Sequence, residues 1–381
     1  MRKRVLGLLL AATMSMTILA GCGGNNTEKK EVRIASDSKV AVFYYSGTDD
    51  YVSSVKTALD NQLSDLGVEY VNYDAKNSQE TQKSQIDEAI KDGATALIVN
   101  IVNAGSKEDS TEILEKAKKA GIPVVFFNRS IEPVGEEGAI LSSYDNCAYV
   151  GTDPVQAGQM QGDLIGRYIA DNYNTVDLNG DGKISYAMFM GQEGNIEAIN
   201  RTQYAVENAN TLIEQAKGKG YELVYFDEAL LETPYQVDPD GAWSADAAKK
   251  YMKDNLTKYN AANHNMIEVV ICNNDAMAKG AIEALNEIGY NRGNEDADCI
   301  MIPVFGVDAT EDAKQLIADG KMEGTIKQDA EGMAGAVVSM IANASNGKEL
   351  MDGIADSYTL AEGIDNEVYI EYSDYYAEQQ K

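Results

Sequence analysis

The sequence predicts an α/β fold made of two doubly wound lobes. From Lys39 onward, short apolar runs alternate with amphipathic runs, a pattern typical of parallel sheets flanked by helices. After four predicted strands the pattern is interrupted, and it then restarts with a second series. The roughly 340 residues that follow the N-terminal segment also suit two domains of this class better than one.

Four apolar runs and three amphipathic runs define the first lobe. Strands are predicted at 40–45, 69–73, 96–102 and 122–127, with helices at 52–66, 80–92 and 110–120 between them. Gly67, Gly93 and Gly121 stand where these helices end. Helices commonly end at a residue in the left-handed backbone conformation, and glycine adopts this conformation without steric cost.

The second lobe repeats the pattern. A helix at 154–172 precedes strands at 184–190, 222–226, 267–272 and 300–305, which alternate with helices at 198–218, 245–259, 276–288 and 310–319. A further strand near 324–329 leads to a helix at 332–346, and a last strand is predicted near 368–371. With these late elements, several ways for the chain to cross between the two lobes are possible.

The N-terminal segment has the pattern of an export signal. Basic residues at 2–4 precede an apolar run at 5–19, which is too short and wrongly flanked for a stable membrane span. The run ends in Leu-Ala-Gly-Cys22, which resembles a bacterial lipoprotein signal. We therefore expect a signal peptide over 1–21, a lipid on Cys22 that anchors the chain to the outer face of the cell membrane, and a tether over 22–38. An ordinary secretory signal is the alternative.

The acidic composition limits the kinds of partner. A formal net charge of −29 at pH 7 excludes nucleic acid, since phosphate binding requires clustered lysine and arginine. The same acidity favours solubility and the attraction of cations, and we expect a monomer. Cys147, Cys272 and Cys299 have neither metal-ligand nor Cys-x-x-Cys spacing, and we expect them to be small buried residues.

The sequence carries no recognisable catalytic motif. It contains no glycine-rich phosphate loop, no nucleophile elbow and no zinc-binding His-Glu-x-x-His helix. The one histidine, His264, lies in a polar run and is predicted to be an exposed loop residue. The sequence therefore favours binding over chemistry, and we expect no enzymatic activity.

Residues 177–185 match most of a calcium-binding loop. Oxygen ligands fall at loop positions 1, 3, 5, 7 and 9, provided by Asp177, Asn179, Asp181, the carbonyl of Lys183, and Ser185. Position 12 is Met188, where an EF-hand needs a bidentate glutamate, and a buried strand follows instead of a helix. A calcium site here therefore needs a carboxylate from a distant part of the chain. The alternative is a surface turn rich in Asp, Asn and Gly.

Polar residues recur where the predicted strands end. They are Tyr45, Asp49 and Tyr51 after the first strand, then Asn128, Arg129, Asn195, Glu197, Arg201, Asn273, Asn274, Asp275 and Asp308 after later ones. Ligands bind at this edge of open α/β sheets. Carboxylates, amides and arginine together suit a small neutral polyol, whose hydroxyls both donate and accept. Tyr51 and Trp243 add flat apolar faces for a sugar ring. Each residue alone has a structural alternative as a helix cap or core residue.

Several blocks resemble the periplasmic galactose/glucose-binding proteins of ABC transport. The most specific blocks are 122–128, 149–153, the loop at 177–185, 267–277 and 302–308, and the resemblance extends from about residue 39 to residue 372. It implies two Rossmann-like lobes joined by a three-segment hinge that closes on a sugar. The N-terminal lobe would comprise 39–151 and 330–367, and the C-terminal, calcium-binding lobe 152–329 and 368–381.

The resemblance also implies roles for individual residues. The sugar hydroxyls would be bound by Asp49, Asn128, Arg201, Asn274 and Asp308, with Tyr51 and Trp243 on the two ring faces and Tyr45 lining the pocket. Glu268 would supply the missing calcium ligand. Asn195, Glu197 and Gln328 stand where the family has histidine, aspartate and asparagine. These departures leave the preferred hexose open.

The function implied is an extracytoplasmic lipoprotein that binds D-galactose, D-glucose or methyl galactoside and delivers it to an ABC permease. A receptor that passes the closed form to a membrane sensor or chemoreceptor, for this or another monosaccharide, would use the same structure. A glycosidase is a weaker alternative, since paired carboxylates and aromatic residues also serve glycoside hydrolysis. A sugar-responsive repressor would need a DNA-binding segment, which the acidity and the export signal disfavour.

Overall fold

A computed structural model describes residues 32–376, apart from residues 134 and 297. The predicted signal peptide, the lipidation site at Cys22, the start of the predicted tether and residues 377–381 lie outside the described residues. Within residues 32–376, no helix combines the length and the apolar character that crossing a membrane requires.

Fourteen strands occur in the described residues. In chain order they are β1 (Lys39–Tyr44), β2 (Glu69–Asp74), β3 (Ala96–Val99), β4 (Val124–Phe127), β5 (Cys147–Gly151), β6 (Ile184–Met190), β7 (Leu223–Tyr225), β8 (Gln236–Val237), β9 (Val269–Cys272), β10 (Val304–Asp308), β11 (Gly324–Lys327), β12 (Thr359–Leu360), β13 (Glu367–Tyr369) and β14 (Ser373–Tyr376).

Nine α-helices alternate with these strands in the same part of the chain. They are α1 (Asp50–Asp65), α2 (Gln79–Lys91), α3 (Lys107–Ala120), α4 (Pro154–Val176), α5 (Ile196–Lys217), α6 (Ala245–Leu256), α7 (Asp275–Glu287), α8 (Glu311–Ala318) and α9 (Ala330–Ser345). Each except α9 begins after a residue whose side-chain oxygen accepts a backbone N–H of the first turn, as Ser78 does for α2. Gly121 ends α3 in the left-handed conformation that its position predicts.

The strands form two sheets of seven. The first sheet has the order β12-β13-β5-β4-β3-β1-β2, and the second has the order β14-β11-β10-β9-β6-β7, with β8 also paired to β6. The pairs are parallel except for β12 with β13 and β11 with β14. Strands such as β3 and β4 are buried along their whole length, as parallel strands covered by helices on both faces are.

The chain crosses between the sheets at three places. It leaves the first sheet after Gly151, returns after Lys327 to form α9, and leaves again after Tyr369. The two-lobe fold with a three-segment hinge is therefore confirmed. The third crossing differs from the predicted boundary, because Val368 pairs with Val150 of β5 and belongs to the first lobe. This pairing extends the first sheet and buries the Val368 side chain completely.

Two other differences have local causes. The strand predicted at 300–305 starts at Val304, since Pro303 has no N–H to donate to a ladder. The short strand Cys147–Gly151 was not among the predicted strands, because five residues flanked by polar loops give little periodic signal. It nevertheless carries the chain to the first crossing.

Glu367, at the start of β13, gives the fold a pH dependence. Burial raises the pKa of its carboxyl from 4.5 to about 7, against the effect of the Tyr369 hydroxyl. Since the folded state then binds this proton more tightly than the unfolded state, its contribution to the free energy of unfolding falls as pH rises from about 4.5 to about 7.

Replacing Glu367 by Gln is therefore expected to stabilise the protein at pH 7.5, by about 1–3 kcal/mol, and to have little effect near pH 4.5. Thermal unfolding at both pH values measures the difference. Glu362→Gln, at an exposed position of the same segment, is the matched control. Equal effects of Glu367→Gln at both pH values would contradict the expectation.

Candidate ligand-binding site

One cavity collects every residue that the sequence predicts for ligand binding. Its walls include Tyr45, Asp49, Tyr51, Asn128, Asn195, Glu197, Arg201, Trp243, Asn274, Asp308 and Gln328, together with Arg129. About 410 Å³ of space not occupied by protein atoms lies between them, including the solvent space at the mouth of the cavity. Both lobes contribute, so the cavity is the interlobe cleft.

Three of these residues cap helices and line the cavity at the same time. Asp49 accepts the Val52 N–H through Oδ1 at 2.8 Å and the Tyr45 hydroxyl through Oδ2 at 2.5 Å. Asn274 accepts the Met277 N–H at 2.9 Å, and its Nδ2 donates to the Trp243 carbonyl at 3.2 Å. Asn195 caps α5 in the same way. The cap and binding interpretations are compatible, because the second polar atom of each side chain has one protein partner and keeps a further N–H group or lone pair for a ligand.

Three cavity residues have unusual backbone geometry. Asn128, Trp243 and Asp308 have φ values of 64°, 57° and 124°, in the region that favours glycine. Such conformations cost on the order of 1–3 kcal/mol each and concentrate at functional sites. The backbone is therefore strained at the three positions from which these side chains enter the cavity.

The Arg201 guanidinium is fixed by groups from several segments. Nη1 donates to the Asn273 carbonyl at 2.9 Å, and Nη2 donates to Gln328 Oε1 at 3.1 Å and to the Tyr372 hydroxyl at 3.2 Å. Tyr372 follows the third crossing and donates to Thr152 of the first crossing. Arg201 is therefore attached both to the cavity wall and to the hinge.

Two buried carboxyl groups neighbour each other, Asp308 at the end of β10 and Asp275 at the start of α7. Asp308 lies 4.0 Å from Arg201 Nη1, and burial, followed by the neighbouring Asp275, raises the pKa of the Asp308 carboxyl well above its usual range. Burial also raises the pKa of Asp275 to about 7, although hydrogen bonds from Thr325 and Thr310 oppose the shift. The pair therefore retains a proton to higher pH than isolated carboxyls do.

The Trp243 ring lies against the backbone of Gly191, directly after β6. An added Cβ at Gly191 would lie 2.1 Å from Trp243 Cδ2, so only glycine permits this contact. The Arg201 guanidinium is 5.7 Å from the ring centre. The buried Tyr51 comes from α1 of the other lobe, and its hydroxyl contacts Met333 Sδ at 3.6 Å. Each lobe thus contributes one of the two predicted stacking residues.

Three buried polar atoms of the cavity residues have no protein partner among the described residues. They are Arg129 Nε, Glu197 Oε2 and Arg201 Nε. Burial raises the pKa of the Glu197 carboxyl, and the two arginines oppose that shift. Leaving such atoms unpaired costs about 1–3 kcal/mol each, so a ligand that offers both donors and acceptors would stabilise this arrangement.

Four residues of this network were outside the predicted site. Arg129 and Asp275 follow strand ends but are not among the predicted binding residues, and Gln192 and Tyr372 act through contacts that depend on side-chain orientation. Asp275 ends the Asn-Asn-Asp run after β9, and its carboxyl accepts a hydrogen bond from the Thr325 hydroxyl. Gln192 and Tyr372 carry no motif that marks them.

Glu268 reaches the predicted calcium loop from the β9 side of the second sheet. Its Oε1 accepts the N–H groups of Leu178 and Asn179 at 2.8 and 3.1 Å, and its Oε2 accepts the Ser185 N–H at 2.9 Å. The residue is fully buried. A distant carboxylate therefore meets the loop, which is the relation that the incomplete loop requires.

The loop carboxylates are engaged by the loop backbone. Asp177 Oδ1 accepts the Gly180 N–H at 2.8 Å, and Asp181 Oδ1 accepts the Lys183 N–H at 2.8 Å. No group of three or more Asp, Glu, His or Cys side chains in the described part of the chain is arranged to hold a metal ion. The oxygen-only donor set nevertheless has the chemistry that calcium requires.

Comparison with known proteins finds relatives along most of the chain. Residues 40–349 match the periplasmic binding protein domain. The D-galactose/methyl-galactoside binding periplasmic protein of Haemophilus influenzae is 34% identical over 321 residues, which cover 84% of this chain and 85% of that protein. The xylitol-binding protein of Mycolicibacterium smegmatis is 26% identical and covers 85% of this chain and 76% of its own length.

Solved structures share the two-lobe fold. An ABC transporter solute binding protein from Clostridium phytofermentans, with bound β-D-glucose, has a TM-score of 0.65 at 23% identity and covers 90% of this chain and 95% of its own. A periplasmic solute binding protein from Actinobacillus succinogenes, with bound D-allose, has a TM-score of 0.66 at 18% identity, over 90% of this chain and 99% of its own.

Proposed function

This chain belongs to the periplasmic binding protein family, and on that premise we propose that it binds D-galactose, D-glucose or methyl galactoside in the interlobe cavity and delivers the sugar to an ABC permease. At the level of the family, it is an extracytoplasmic sugar-binding protein of ABC transport rather than an enzyme. The hexose, the permease, the lipid on Cys22 and any membrane sensor belong to the proposal.

The mixture of polar groups in the cavity carries this proposal. Asp49, Glu197 and Asp308 offer carboxylate oxygens, whereas Arg129 and Arg201 offer N–H donors. A neutral sugar satisfies both kinds of group, because each hydroxyl donates and accepts. A phosphate or carboxylate group on the sugar would lie beside three carboxyl groups to which a hydroxyl can donate but an ionised phosphate or carboxylate cannot. The unpartnered donors and acceptor therefore favour a neutral polyol.

The sequence relationship favours galactose among neutral sugars. The Haemophilus influenzae relative is named for D-galactose and methyl galactoside, whereas relatives at lower identity are named for ribose and xylitol. Glu197 and Gln328 are each one methylene longer than the family residues they replace. These longer side chains change the shape of the cavity. Glucose, which differs from galactose in the configuration of one hydroxyl, is therefore proposed as a ligand as well.

The single tryptophan makes the proposal directly testable. Since Trp243 lines the cavity, its fluorescence is expected to change with the cognate sugar and with few others. The panel is galactose, glucose, methyl galactoside, xylose, ribose and arabinose. A saturable response to galactose or glucose at the lowest concentration supports the proposal. No saturable response to any hexose, with no heat in calorimetry, would overturn it.

We also propose that residues 177–185 and Glu268 bind a structural Ca²⁺ ion. Its ligands would be the side chains of Asp177, Asn179, Asp181, Ser185 and Glu268 and the carbonyl of Lys183. The position of Glu268 against the loop supports this, because an EF-hand-like loop without its twelfth ligand needs a carboxylate from outside. The competing interpretation is a metal-free loop, which Glu268 attaches through three backbone N–H groups.

Chelation distinguishes these interpretations. At calcium near 100 times its dissociation constant, the ion adds about 2.7 kcal/mol to the free energy of unfolding, so a chelator is expected to lower the melting temperature. Glu268→Gln should remove the response to calcium, whereas Glu214→Gln, at an exposed position of α5, should retain it. An unchanged melting temperature after metal removal, verified by elemental analysis, would favour the metal-free loop.

A further inference from the structure

The Arg129 guanidinium is oriented by its own lobe. Its Cζ lies 4.0 Å from the centre of the Tyr45 ring, and Nη2 donates to the Val102 carbonyl at 3.0 Å. Tyr45 is itself held by the bond from its hydroxyl to Asp49. Only 5% of the Arg129 surface is exposed, so protein contacts rather than solvent set its position.

The same guanidinium also reaches the second lobe. Nη2 donates to Gln192 Oε1 at 2.9 Å, and this oxygen accepts a second bond from Asn195 Nδ2 at 3.1 Å. Asn195 caps α5 by accepting the Glu197 N–H at 3.0 Å. The link from Arg129 therefore ends on the helix that presents Glu197 and Arg201 to the cavity.

Arg129 keeps a buried donor for a ligand. Nε is buried and has no partner among the described residues, and the residue lines the cavity. We propose that Arg129 donates through Nε to an oxygen of the bound sugar and through Nη2 to Gln192, so that one side chain couples sugar binding to closure of the lobes. This inference rests on the proposed function, because it takes the ligand to be a sugar.

The charge of Arg129 makes this interlobe contact stronger than another one between the lobes. The other, from Gln328 Nε2 to Asn128 Oδ1, joins neutral groups at 3.3 Å. A bond from a charged donor is shorter and roughly twice as strong as one between neutral groups. Because the contact with Gln192 spans both lobes, its loss should act on sugar release from the closed form rather than on sugar entry.

Stopped-flow Trp243 fluorescence of the full chain, with D-galactose and D-glucose as probes, tests the inference. Gln192→Met keeps the side-chain length but removes the acceptor, and is expected to raise the sugar dissociation rate about 10-fold with an association rate within twofold of the wild type. Arg129→Lys keeps the charge but loses the planar donor set, and is expected to weaken binding more than Gln192→Met does. Gln203→Met, at an exposed glutamine of α5, is the control.

The outcomes separate this inference from the proposed function. If wild-type protein binds neither sugar, the proposed function fails and the inference fails with it. If the wild type binds but Gln192→Met releases sugar at the wild-type rate, the coupling through Gln192 is wrong and the proposed function stands. If Arg129→Lys weakens binding no more than Gln192→Met, the contact through Nε is wrong. Non-additive effects in the double variant would support one shared link.

Discussion

Arg201→Met is expected to weaken sugar binding by about 2–5 kcal/mol, or roughly 30- to 5,000-fold in affinity. The loss comes from two sources. The ligand loses a donor, and the substitution leaves Asp308, Gln328 and Tyr372 without the group that they share. Because Arg201 is 4% exposed, water cannot easily replace these bonds.

Calorimetric titration of three variants with galactose measures this effect. Arg201→Lys keeps the charge without the planar donor set and should give an intermediate loss. Arg167→Met removes an exposed arginine that pairs with Asp374 at 2.8 Å in the same lobe, and should bind like the wild type. An affinity of Arg201→Met within threefold of the wild type would contradict the assigned role of Arg201.

Gly191→Ala is expected to have the second largest effect, through displacement of the Trp243 ring. The added Cβ would lie 2.1 Å from both Cδ2 and Cε3 of the indole, a rigid group that cannot move aside as a flexible side chain can. Overpacking of this kind costs about 1–3 kcal/mol. We therefore expect a sugar affinity at least 10-fold lower, similar to that of Trp243→Ala.

The tryptophan emission spectrum reports the displacement independently of the ligand. Sugar-free Gly191→Ala should emit at longer wavelength than the wild type, since a displaced ring is more exposed to water. Gly335→Ala, in α9 and outside the cavity, is the control. Its added Cβ would lie 2.8 Å from the Tyr358 hydroxyl, the far end of a flexible side chain that can move aside. Wild-type emission and affinity in Gly191→Ala would show that the ring position does not matter for binding.

The binding residues could be predicted because of where the strands end. Parallel strands bring their carboxyl ends to one edge, so polar residues after each strand meet even when far apart in sequence. Asn128 and Asp308 are 180 positions apart (308 − 128) and line the same cavity. Their common location is confirmed by the structure, whereas their contacts with a sugar remain predictions.

The rest of the site depends on contacts that sequence patterns do not encode. The role of Gly191 follows from the Trp243 ring lying on its Cα, which no spacing indicates. Gln192 follows a strand end like other residues, and only the reach of Arg129 across the cleft distinguishes it. The lobe assignment of Val368 was wrong because a three-residue strand carries no information about which sheet edge it joins.

Titration of the ligand-free wild-type protein with D-galactose and D-glucose in a calorimeter tests the central claim most directly. Groups from both lobes surround one cavity, and the account therefore predicts saturable binding of one molecule per chain for at least one of the two sugars. It also predicts that a phosphorylated hexose gives no heat of binding. Folded protein that binds neither sugar, or that binds the phosphorylated hexose more tightly, would contradict the account.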